Sequence, residues 1–101
     1  MPQPVAGLQP KQINILKGNP STVDNDPVEV WTTNNDKVKW ACPGEDWLVV
    51  FEGPSPFERD HFDPAHPGNT KIVGKGGGTE YKYTVYVDGI KGADPIIRVM
   101  P

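Results

Sequence analysis

Two histidines, His61 and His66, sit in the run Asp60-His61-Phe62-Asp63-Pro64-Ala65-His66, which mixes imidazoles with carboxylates. That donor set suits zinc or nickel. The spacing matches no strong metal motif, and in so polar a loop the plain reading is a pair of solvated side chains. Cys42 is the lone thiol; to act as a nucleophile it needs a base or a cation that lowers its pKa. Its context, Cys42-Pro43-Gly44, carries no such signature, so a buried structural cysteine is the simpler expectation. Gly74-Lys75-Gly76-Gly77-Gly78 has the glycine content of a phosphate cradle but lacks the Lys-Ser/Thr pair and precedes a strand-like run, which favours a flexible connection. Phe57 and Phe62 occupy a proline-rich stretch, where a ring either anchors a protein interface or tucks back to cap one end of the core.

The elements that must position these residues are short. The chain has 101 residues with 11 Gly and 12 Pro, and its apolar residues fall in alternating runs separated by turn residues. This length fits one domain, 1–101, with about residues 1–10 as an extended N-terminal segment. Pro and Gly interrupt nearly every window that would otherwise support a helical stripe, whereas two-residue alternation recurs.

Seven strands are expected. Gln12 to Leu16 ends in the Gly18-Asn19-Pro20 turn. Val28 to Thr32 and Lys37 to Ala41 flank Asn34-Asn35-Asp36 and read as a hairpin. Trp47 to Phe51 is apolar on both faces, the pattern of a central, doubly covered strand. Residues 53–69, with Pro54, Pro56, Pro64 and Pro67, read as a long connection with one helical turn at Phe57 to His61. A short run at Lys71 to Val73 follows. Glu80 to Val87 is the clearest strand, with Tyr81, Tyr83, Val85 and Val87 on one face, and Pro95 to Met100 closes the chain. The fold class predicted is an all-β Greek-key β-sandwich of about seven strands.

The order of these features resembles the cupredoxin family, the small β-sandwich of plastocyanin and azurin. Lys37-Val38-Lys39-Trp40 leads to Val49-Val50-Phe51, then to a long loop, to Gly78-Thr79-Glu80-Tyr81-Lys82-Tyr83, and to Ile97-Arg98-Val99. The likeness covers roughly residues 27 to 100. It implies copper ligands near Trp47, Val85, Asp88 and Ala93, where this chain has no His, Cys and Met set. The resemblance therefore implies a copper-free member, similar to small bacterial proteins that keep the sandwich without its ligands, with no cofactor and no catalytic residues.

The net charge of −3 supplies no basic field for nucleic acid or for an anionic membrane. No stretch reaches the roughly 20 apolar residues of a membrane span. Met1 to Pro10 lacks the layout of a signal peptide, which points to a cytoplasmic chain, or to a periplasmic or extracellular one if a leader was trimmed. The leading expectation is a non-enzymatic, metal-free binding or structural module that meets a protein partner through the 53–69 loop, with Phe57, His61, Phe62 and His66 as the contact residues. One alternative is a metal-binding protein or metal-dependent enzyme built on His61 and His66. Another is a self-assembling subunit whose N-terminal segment and strand edges pair with a second copy.

Overall fold

Alternation of apolar and polar residues becomes strand wherever it is long enough to bury one face. A computed structural model of the chain describes residues 10–100, so the expected N-terminal segment lies outside the described residues except for Pro10. The strands are β1 (Lys11–Leu16), β2 (Thr22–Val23), β3 (Val28–Trp31), β4 (Val38–Ala41), β5 (Trp47–Val50), β6 (His61–Phe62), β7 (Thr79–Lys82), β8 (Thr84–Val87), β9 (Ile90–Lys91) and β10 (Ile96–Met100). The described residues contain no α-helix; a single 3-10 turn covers Thr32–Asn34. The protein is all-β, and its layout is compatible with a β-sandwich.

Three hydrogen-bonded groups result, in the orders β2-β1-β4, β3-β10-β7 and β6-β5-β8-β9. Two neighbour pairs, β1 with β4 and β3 with β10, run parallel, and the others are antiparallel. The expected hairpin of residues 28–32 and 37–41 is therefore overturned. β3 pairs with the C-terminal β10, and β4 pairs with the N-terminal β1, in another sheet. The 3-10 turn and Asn35, at φ 55°, carry the chain across between the sheets.

Glu80 to Val87 keeps its predicted alternation, with Tyr81, Tyr83, Val85 and Val87 all buried, but its two halves serve different sheets. β7 pairs with β10 and β8 with β5, and between them Tyr83 donates its N–H to Pro95 O at 3.0 Å. One continuous stretch thus joins the two sheets at Tyr83. β5 lies centrally, between β6 and β8; Trp47 and Val49 are buried, while Leu48 and Val50 are partly covered.

The helical turn expected at Phe57 to His61 does not form; His61–Phe62 is strand, paired with Val49 and Val50. Pro54 and Pro56 restrict the approach to that segment, and the N–H of Phe51 donating to Asp60 O at 2.7 Å draws it out along β5. Lys71 to Val73 contributes a bridge between Ile72 and Phe57 instead of a strand.

The core is one cluster between the sheets, with Trp40, Phe51, Phe57, Phe62 and Tyr83 at its aromatic centre. Trp40 lies 4.8 Å from Phe62 and 5.4 Å from Tyr83, between ring centroids. Edge-to-face and tilted contacts of this kind add about 0.5–1.5 kcal/mol per pair beyond the area they bury. The Trp40 indole and the Tyr83 hydroxyl approach each other, yet neither completes a hydrogen bond, and burial pushes the Tyr83 phenol well above its ordinary pKa.

Candidate functional site

Each residue singled out for chemistry has a definite place. Phe57 and Phe62 are 4% and 0% exposed and pack against Trp40 and Phe51, so neither is available as an interface anchor. That corrects their assignment as contact residues. The physical reason is that five rings from separate segments fill one gap between the sheets, which a small aliphatic core would leave empty.

His61 and His66 are both exposed, and each is held by its own neighbours. Arg59 Nη2 lies 3.2 Å from His61 Nε2; because a guanidinium only donates, that nitrogen accepts and Nδ1 carries the proton given to Asp60 Oδ1 at 3.0 Å. The His61 ring, followed by other smaller effects, holds the Asp60 carboxyl below the usual carboxylate range. His66 lies beside Asp63, whose carboxyl is lowered first by the His66 backbone N–H at 2.9 Å. Among the described residues no three His, Cys, Asp or Glu side chains gather as a metal set.

Cys42 is buried, and desolvation, then the charges of Glu45 and Asp88, push its thiol up. The described surroundings favour the thiol over the thiolate. Lys17 bridges Glu45 at 2.6 Å and Asp88 at 3.0 Å close by, an exposed ion cluster that ties β1 to two turns.

The proline-rich loop is mostly spent on structure. Trp40 donates its N–H to Pro67 O at 2.8 Å and Asn69 to Val38 O at 2.7 Å, so residues 67–69 lie along the outer edge of β4. Gly68 bridges Lys39 there at φ 131°, and a Cβ would run into Val38 O and the Lys39 backbone. Edge strands present unpaired backbone groups that proteins ordinarily cover or blunt. The β3 edge is blunted as well: Lys11 Nζ donates to Glu29 O at 2.8 Å, and Asp36 Oδ2 accepts the Trp31 N–H at 2.8 Å.

The edge of β7 is different. It pairs with β10 in the register Thr79 with Val99, Glu80 with Arg98, Tyr81 with Ile97 and Lys82 with Ile96, and it ends its sheet. The Tyr83 N–H to Pro95 O bond sets the phase of this antiparallel ladder. Alternation then turns Thr79 and Tyr81 toward β10, and turns the N–H and C=O of Glu80 and Lys82 outward. Among the described residues no other backbone group takes them up.

Outside that edge lies a cleft of about 610 Å³, floored by β7 and walled by Gly53 to Ser55 and by Val73 to Lys75. Its far wall is anchored firmly. Val73 and Gly74 both donate their N–H groups to Pro56 O, at 2.8 and 3.0 Å, and Lys75 donates its own to the Tyr81 hydroxyl at 2.8 Å. Gly74 allows this close approach: a Cβ there would stand 2.7 Å from the Tyr81 hydroxyl and 2.9 Å from Pro56 Cα. The glycine run is thus a tight packing element followed by a strand, without the helix that a phosphate cradle requires.

The cleft has an apolar side and a cationic side. Val73 is 56% exposed there, next to the largely buried Tyr81. Among the described residues Lys75 and Lys82 meet no carboxylate within ion-pair distance, while Glu80, the acid of the lining, pairs with Arg98 through contacts of 2.8 and 3.1 Å, a guanidinium it shares with Glu29 at 3.0 Å. Sequence reasoning missed this site because its cations, its valine and its free edge come from three separate segments. Lys82 on the solvent side of a clear strand was the one local sign. No family model, no curated protein and no solved structure matches this chain.

Proposed function

We propose that this protein is a metal-free, cupredoxin-like Greek-key sandwich that works as a non-enzymatic binding module, and that its contact surface is the cleft along β7. The observation that carries the reading is an unpaired strand edge opening into a cleft with one wall, Val73 to Lys75, pinned by hydrogen bonds from its backbone to Pro56 O and the Tyr81 hydroxyl. A preformed cleft of this size lies in the range that binding sites occupy, and a pinned wall reduces the ordering cost of association. Residues 53–55 are the part of the proline-rich loop that contributes to it.

A display selection of random peptides on the wild-type protein, counter-screened on Val73→Arg, tests the reading. Val73 is exposed, so the arginine fills the cleft without entering the core. Sequences enriched on wild type and lost on Val73→Arg are expected; equal enrichment on both proteins overturns the cleft as the contact surface.

A further inference from the structure

We infer that the cleft takes an extended acidic peptide segment of another protein, added to the sheet as a new strand beside β7. The inference rests on the binding-module reading and names its ligand class. Three independent features converge on it. The outward N–H and C=O groups of Glu80 and Lys82 form the hydrogen-bonding half of a missing strand pair, and an incoming backbone satisfies them in the manner of strand addition. The four residues of β7 present about 13 Å of edge at roughly 3.3 Å per residue, enough for a four-residue segment of partner.

Charge selects the partner. Lys82 projects on the solvent face of β7 and Lys75 stands on the facing wall, both without a carboxylate among the described residues, in a chain whose net charge is −3. Glu80 pairs with Arg98, which it shares with Glu29, and the two lysines outweigh this one acid in the lining. An added strand alternates its side chains, so acidic residues at every second position reach Lys82 on the outer face of β7, with Lys75 on the facing wall adding to the positive field. The residues between them turn inward, toward Val73 and the Tyr81 ring, and are best apolar. The recognised pattern is therefore acidic-apolar alternation in an extended segment. A second copy of this chain is the competing occupant, and the test separates the two.

The probe is the capped peptide acetyl-(Glu-Val)4-amide, with acetyl-(Lys-Val)4-amide as its charge-reversed twin, titrated into the isotope-labelled full chain and followed by NMR amide shifts and hydrogen exchange. Binding of the Glu-Val peptide in the micromolar-to-millimolar range is expected, with new protection at the Glu80 and Lys82 amides and little change at Thr79 and Tyr81, whose amides already face β10. In the double variant Lys75→Glu, Lys82→Glu the preference reverses: the Glu-Val peptide weakens about tenfold or more and the Lys-Val peptide binds instead. Both lysines lie on the surface, so the variant keeps the fold, which its unchanged core amide spectrum verifies.

No binding of the Glu-Val peptide, or binding without protection at Glu80 and Lys82, overturns the strand-addition inference. Protection of those amides that grows with protein concentration and without peptide assigns the edge to a second copy and overturns it as well. Either failure leaves the cleft reading standing if display selection yields sequences sensitive to Val73→Arg; loss of that sensitivity is the separate sign that the cleft reading itself is wrong.

Discussion

Truncating Phe62 to alanine tests whether the proline-rich loop is core or contact surface. The Phe62 ring is fully buried, 4.8 Å from Trp40 and 6.0 Å from Phe57 between centroids. Returning it to water forfeits about 2–3 kcal/mol of transfer free energy. The remaining void, on the order of 100 Å³, adds about 2 kcal/mol at the usual cost per unit volume. The sum, about 4–5 kcal/mol, is a large part of the 5–15 kcal/mol that holds a domain of this size. Phe62→Leu, which keeps most of the volume, should cost only about 1–1.5 kcal/mol and remain folded. Urea unfolding followed by tryptophan fluorescence measures both, since Trp40 stacks on the ring being removed. The alanine variant should lose most of its unfolding midpoint and melt on the order of 20 °C lower, with an unchanged urea dependence wherever it still folds. A loss below about 1 kcal/mol in Phe62→Ala refutes the reasoning, because that is the cost of an exposed ring.

Tyr83→Phe removes a buried hydroxyl that completes no hydrogen bond, so stability should stay level or rise by up to about 1 kcal/mol; a comparable loss in the same urea experiment contradicts that account. Cys42 should react with a thiol reagent far more slowly in the folded protein than in denaturant, and equally fast labelling in both states refutes its burial. Asp88 has its carboxyl held below the ordinary range, first by the hydrogen bond from Lys17, so its stabilising contribution is complete above the unfolded-state pKa and disappears as pH falls through the lower folded value. Melting curves below about pH 4 should therefore fall less steeply for Asp88→Asn than for wild type, and identical slopes exclude a role for this exposed cluster. Calorimetric titration with Zn(II), Ni(II) and Cu(II) should give equal heats for wild type and for His61→Ala with His66→Ala, whereas a stoichiometric heat lost in the variant establishes the histidine loop as a metal site.

Much of the local structure was legible in the sequence, because strand alternation is a property of neighbours. Ile13 with Ile15, Val28 with Val30, and Tyr81 with Tyr83 and Val85 each declare a buried face by period two, and the structure buries them all. The absence of long helical stripes, the breaks at Gly18 and Pro43, and the burial of Cys42 also follow from residue type and position. Pairing does not. The turn residues between Trp31 and Lys37 were read as a hairpin, yet the same residues carry the chain between two sheets, because β3 and β4 each gain a parallel partner from an opposite end of the chain. Turn chemistry reports that a chain reverses and is silent about which distant strand receives it.

Apart from Lys82 on the solvent side of its strand, the candidate site belongs to that second category. For Phe57 and Phe62 the sequence left interface anchor and core cap both open, and only the meeting of Trp40, Phe51 and Tyr83 creates the space they fill. An edge exists only after every other strand has chosen its neighbours, and the cleft beside β7 exists only because Gly74 lets its loop rest on Tyr81. Sequence alone determined which residues face inward, through short-range alternation. Tertiary structure decided which edge of β7 was left open and which lysines stand beside it, because both depend on contacts between segments far apart in the chain.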